Sequence, residues 1–336
     1  MNHRTLLLGC TMMTIPLSAR GQQDSTLDGQ LAKIVQKDTI TVLVTDSGLG
    51  GLSVCAAVDS LARATGRYKQ MHLIFANALP ESGSGYNRMK SLDEKVRVFD
   101  AAIRGMAGSY HPDVVLIACN TLSVVYPMTA FAREAPMPVV GIVTMGVDLM
   151  EEELRKSPGS TAIVFGTETT VEAGTHKRLL MERGVLPDHI IAQACPELAG
   201  KIERDARGEG VQEAIAQFAD EAVAKSAAPT KKIVAALCCT HYGYCGGFFR
   251  TALSKRTGGE VTILDPNVRM SKLLFPDDRR IPSTSPEVIV RVVSRAVITS
   301  EEVLSIGTLL LPVSTPTAGA LQRYELKRDL FPFSNQ

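Results

Sequence analysis

The chain has 336 residues, 45% of them hydrophobic, and a formal charge of +1 with no long basic or acidic run. That is enough apolar material for two ordinary domains, and so even a balance gives no electrostatic footprint for nucleic acid or an anionic membrane surface. A small solute is the partner it leaves.

Residues 1–21 read as an export signal: Arg4, a mostly apolar stretch from Thr5 to Leu17, then Ala19-Arg20-Gly21 with small residues where a signal peptidase reads. The apolar stretch is too short to cross a bilayer, so no stable membrane span is expected and the mature protein is placed in the periplasm or outside the cell. Lipidation at Cys10, within Leu7-Leu8-Gly9-Cys10, is one alternative; the other is a spurious upstream start that would leave the protein cytoplasmic.

From Thr39 to about Ile263, β-branched apolar runs alternate with amphipathic helical stretches, which predicts an α/β fold with mainly parallel sheets. The strands expected are Ile40 to Thr45, His72 to Ala76, Val114 to Ala118, Val139 to Val143, Thr161 to Phe165, Ile190 to Gln193, Ile233 to Leu237 and Val261 to Leu264. Ser82-Gly83-Ser84-Gly85 follows the second strand as a flexible loop placed where an active-site flap could sit. Beyond Asp265 the pattern breaks at Pro266, Pro276 and Pro282 before an expected helical run from Pro286 to Ile298 and a tail with no readable chemistry. Asp46 to Cys119 spans 119−46 = 73 positions and Thr167 to Cys239 spans 239−167 = 72, a spacing read as internal duplication or as plain recurrence of βα units. The expected organisation is two similar α/β domains with the active site in the cleft between them. Residues 39–142 with about 246–300 form the first, 143–245 the second, and 301–336 a C-terminal extension.

Two thiols stand out within this frame. Cys119-Asn120-Thr121 and Cys239-Thr240-His241 each follow an apolar run that ends a strand, where open α/β sheets place their chemistry. Two cysteines on opposite walls of a cleft could take a proton from one face of a carbon and return one to the other, inverting the centre without a cofactor. A thiol acts as a base only as thiolate, which a helix amino terminus or a protonated imidazole favours; the βα turn after Cys119, and His241, suit that role. Thr45 to Ser53 is a glycine-rich strand-to-helix turn whose amides favour an anion such as a carboxylate, although it lacks the third glycine of a dinucleotide fingerprint. A metal site from Cys238, Cys239, His241 and Cys245 is set aside, because adjacent cysteines on a strand point to opposite faces. Free thiols are expected rather than a disulfide framework, with Cys195 or Cys245 the pairing candidates.

Read in order, Thr45 to Val54, Ala118-Cys119-Asn120-Thr121, Gly166-Thr167 with Thr170-Val171, Ala194-Cys195-Pro196 and Cys239-Thr240-His241-Tyr242 resemble the motifs of glutamate racemase, in the aspartate/glutamate racemase superfamily. The resemblance implies two α/β domains, commonly in a homodimer, and an isomerase that inverts the Cα of an acidic amino acid with neither metal nor pyridoxal phosphate. It implies Cys119 and Cys239 as paired acid/base groups, with Asp46 supporting the first, His241 the second, and Glu203 as a further helper. Ser47, Asn120, Thr121 and Thr240 would bind the amino acid's carboxylate and amino groups, and Tyr86 would belong to a substrate-contacting loop. The chain departs from the family pattern in that loop, Pro80 to Asn87, and at Cys238 and Gly243, where Gly and Pro are usual. The alternatives are a related isomerase or decarboxylase acting on another carboxylic acid, and a non-catalytic exported amino-acid-binding protein.

Overall fold

Strand β1 (Thr39–Asp46) is Thr-Ile-Thr-Val-Leu-Val-Thr-Asp, β-branched almost throughout and buried from Val42 onward, the composition of a central strand covered on both faces. In this computed structural model, which describes residues 27–226, 232–276 and 285–334, every strand pairing is parallel. The segment read as an export signal lies outside the described residues. Among the described residues no helix is long and apolar enough to cross a membrane.

β1 pairs with β2 (Gln70–Asn77) and β3 (Val114–Ile117), and β4 (Val139–Gly141) adds to β3. The second sheet is built from β5 (Thr161–Gly166), β6 (Ile190–Ala194), β7 (Lys232–Cys238) and β8 (Glu260–Leu264), in the order β6-β5-β7-β8. Register levels the carboxyl ends: Asp46 lies opposite Asn77 in the first sheet, and Gly166 opposite both Ala194 and Cys238 in the second. Turns leaving those ends are therefore gathered at one edge of each sheet.

Three expectations need correction. The run expected to be helical from Pro286 to Ile298 is β9 (Glu287–Ser294), parallel to β2 over its whole length. Its sequence, Glu-Val-Ile-Val-Arg-Val-Val-Ser, is dominated by residues whose branched Cβ favours a pleated surface over a helix. Second, residues 246–300 do not all belong with the first sheet, because β8 pairs with β7. Third, residues 301–336 are no appendage: β10 (Glu325–Leu326) extends the first sheet beyond β9, and Ile306, Leu310 and Leu321 pack into that sheet's core. The first sheet thus has six strands in the order β10-β9-β2-β1-β3-β4.

Alternation along the strands divides the core into layers. Val42, Val44, Leu73 and Phe75 fill the outer face of the first sheet. Leu43, Ile74, Val115 and Ile117 share a cluster with Ala162, Val164, Val234 and Ala236 of the second, with Val147 and Met150 of helix Val143–Lys156 between them. That common apolar layer joins the two sheets, and burial of its Val, Leu, Ile and Met side chains is worth roughly 1.5–3 kcal/mol each. Phe165, Leu237 and Cys239 face the opposite side, in a third cluster. Cys238 and Cys239 accordingly sit in different layers, as neighbours on a strand must.

Candidate active site

The two sets of strand ends border one cavity of about 620 Å³, with Asp46, Ser47 and Cys119 on the first-sheet wall and Glu203, Cys239 and His241 on the second. Both thiols singled out in the sequence therefore open onto the same space. All six cysteines among the described residues are buried free thiols.

On the first wall Cys119 is the N-cap of helix Asn120–Val125, its Sγ accepting from the Leu122 amide at 3.5 Å and lying 3.2 Å from Ser47 Oγ. Burial pushes this thiol well above its ordinary range and the charge of Asp46 adds to that, while Ser47 and the Leu122 amide pull the other way. The helix start does not by itself produce a resting thiolate, because desolvation outweighs it. Asp46 makes no hydrogen bond to the thiol: its Oδ2 accepts from Thr240 Oγ1 at 2.6 Å and its Oδ1 from the Ser47 amide at 2.6 Å. It thus acts on Cys119 through charge while tying itself to the residue beside Cys239.

On the second wall Cys239 Sγ is 3.6 Å from His241 Nδ1, and His241 Nε2 is 2.7 Å from Glu203 Oε1. Burial disfavours the imidazolium, but Glu203 and Cys239 outweigh it and hold His241 well above its ordinary value; burial likewise disfavours the Glu203 carboxylate, and His241 brings it below. The charged imidazole is thus set directly against Cys239 Sγ.

The glycine-rich turn after β1 proves to be the clamp between the walls. The Leu49 amide donates to Glu203 Oε1 at 2.7 Å, so the anion held by this turn is one of the protein's own carboxylates. A Cβ at Gly50 would stand 2.7 Å from the backbone nitrogen of His241 and run into Thr240 Oγ1, so this crossing needs a residue without a side chain.

Among the residues assigned to substrate, Asn120 is buried and both polar atoms of its side chain lack a partner, a state that calls for a ligand. Thr121 Oγ1 lies 2.8 Å from Thr167 Oγ1 and 3.4 Å from Thr170 Oγ1, tying the start of one βα turn to the start of another. The near-equal spacing of Asp46–Cys119 and Thr167–Cys239 was the sequence signal for Thr167. Nothing in the sequence marked the Leu49 amide, because the partner of a backbone group is set by tertiary contact. Tyr86 borders the cavity, but its hydroxyl donates to Ala78 O at 3.2 Å and its ring meets Phe99 edge-on.

Gly243 has a local explanation: a Cβ there would collide with the Asp265 carboxylate, which caps helix Pro266–Lys272 by accepting from the Asn267 amide at 3.0 Å. Burial raises Asp265 to about 6. The folded chain then holds a proton that the unfolded chain has released, so stability falls as pH rises from about 4 to 6. Asp265→Asn keeps a capping oxygen and removes the charge; it is expected to add about 2 kcal/mol at pH 8 and close to nothing at pH 3, read from melting curves across that range.

The Asp/Glu/Hydantoin racemase family profile matches residues 42–267, about two thirds of the chain. The chain belongs to the Asp/Glu/Hydantoin racemase family. Within the racemase family it is similar to a glutamate racemase of Brucella anthropi, 25% identical over 266 residues covering 74% of this chain and 89% of that protein. It is also similar to one of Aquifex aeolicus, 27% identical over 158 residues, 47% of this chain and only 56% of that protein. Among solved structures, a glutamate racemase from Francisella tularensis in complex with D-glutamate superposes with a TM-score of 0.61 at 20% identity, covering 83% of this chain and 96% of that one, a likeness of fold. The stretch matched to the racemase family contains every wall residue named above; Val297, Ile298, Thr299 and Glu302, which also border the cavity, lie beyond it.

Proposed function

We propose that this chain inverts the Cα of an acidic amino acid, glutamate or aspartate, by proton transfer between Cys119 and Cys239. The observation that carries the reading is the opening of both thiols onto one cavity, one of them beside an imidazole that a half-buried carboxylate keeps charged. One thiolate takes the Cα proton, the electron pair stays on the substrate as a carbanion delocalised into its carboxylate, and the thiol opposite delivers its proton to the other face. The Cα proton is a very weak acid, so the site has to stabilise that anion with fixed dipoles away from bulk water. The unpartnered amide of Asn120 and the hydroxyls of Ser47 and Thr121 suit that task and would hold the amino acid's own carboxylate and ammonium.

The relatives named as glutamate racemases support the acidic substrate. Incubation of the purified protein with L- and D-amino acids in heavy water tests the reading. Deuterium is expected at Cα of glutamate or aspartate together with loss of optical purity, and unchanged mass across the acidic amino acids would end it.

A further inference from the structure

Lys95, on helix Leu92–Tyr110, is buried, and its ammonium donates to Thr169 Oγ1 at 2.7 Å. No carboxylate pairs with it among the described residues. A buried ammonium without a counter-charge is unfavourable until an anion comes within reach.

The hydrogen bonds leading away from Lys95 run in one direction. Lysine can only donate, so Thr169 Oγ1 accepts from it and passes its own proton to Asn87 Oδ1, 2.8 Å away. That fixes the side-chain amide of Asn87: with Oδ1 occupied, its NH₂ group has no partner among the described residues, and Asn87 borders the cavity. The chain of contacts also crosses between lobes, from the first-sheet helix to Thr169 and back to the loop after β2.

We propose that Asn87 is a specificity-determining residue for the far end of the substrate, its NH₂ group donating to a side-chain carboxylate, while Thr169 and Lys95 act as positioning residues that orient this amide and place a positive charge behind it. The inference rests on the amino-acid racemase reading and assigns the residues that choose an acidic side chain. Other charges border the same space. Glu197 lies 3.8 Å from Arg88, and Glu302 is engaged in a capping box with Thr299. Glu168 has no partner among the described residues and would favour a cationic end instead, but it is half-buried and open to solvent screening, whereas the Lys95 charge acts from within the protein.

Titration calorimetry with L-glutamate, its neutral isostere L-glutamine, and L-lysine separates these outcomes. The intact protein is expected to bind glutamate at least about tenfold more tightly than glutamine. Asn87→Ala and Lys95→Met should erase that preference and Asn87→Asp reverse it; Asn87 is exposed, so its variants test the idea even if Lys95→Met fails to fold. In turnover, Asn87→Ala should raise KM for glutamate about tenfold while kcat for deuterium uptake changes less than about threefold, a split that a general loss of structure does not produce. Unchanged glutamate binding in Asn87→Asp, or tighter binding of lysine than of glutamate by the intact protein, would overturn the assignment. Glutamate binding of the expected pattern without deuterium uptake would sink the racemase reading alone; deuterium uptake with the same KM in all variants would sink the Asn87 assignment alone.

Discussion

Cys119→Ala and Cys239→Ala are each expected to lower racemisation of glutamate or aspartate by about 10³-fold or more, the scale on which a positioned acid or base contributes to proton transfer. In the proposed scheme neither thiol can substitute for the other, since each stands at the end of a strand in a different sheet and would serve one face of the bound carbon. A sharper outcome follows from that geometry. With one thiol gone, the survivor can still remove a proton and return a deuteron to the face it came from, so residual exchange should proceed with retention, into opposite enantiomers in the two variants. Chiral separation of substrate recovered from heavy water reads this directly, and residual exchange accompanied by inversion in either variant would rule out the two-thiol scheme. Because burial and then Asp46 hold the Cys119 thiol high, the rate in the direction that starts from Cys119 is expected to rise with pH through the neutral range.

Glu203→Gln is expected to reduce kcat by about 10²-fold and to weaken the fold by about 2 kcal/mol. Glutamine retains an oxygen for the Leu49 amide, so the clamp between the lobes persists and what is lost is the charge that holds His241 above its ordinary value. The imidazole then becomes neutral at lower pH, and Cys239 Sγ loses its cationic neighbour. The sign of the stability effect follows from the two shifts. His241 is raised, so its contribution is complete below its ordinary value of 6.5 and is lost as pH climbs through its folded value; Glu203 is lowered, so its contribution is complete above 4.5 and is lost as pH falls through its folded value. The gap in stability between the native chain and Glu203→Gln should therefore be widest between about pH 4.5 and 6.5 and close on either side, which denaturant titrations at several pH values would show. A gap independent of pH would mean that the pair contributes by shape and hydrogen bonding alone.

The strands that position the site were legible because they are buried on both faces: β1, β5 and β7 are short apolar runs rich in branched residues, and in a parallel sheet such runs have little else to be. Cys119 and Cys239 could be placed at strand ends for the same reason. β9 is less legible, because the prolines that precede it break the alternating pattern, although its Val-Ile-Val-Arg-Val-Val run is strand chemistry. The place of β8 beside β7 is illegible for a different reason, since a single chain says where a strand is and not which sheet receives it.

The identities of the chemical groups were set by the sequence by itself: two thiols, a histidine two positions beyond the second, and a turn of glycines, all in local patterns that survive without three-dimensional information. Only the tertiary structure decided how they are wired. Asp46 bonds to Thr240 rather than to Cys119, Leu49 lends its amide to Glu203, and Lys95 reaches Asn87 through Thr169. Each of these contacts joins residues far apart in the chain, and their strength depends on distance and desolvation, neither of which exists until the two sheets have packed together.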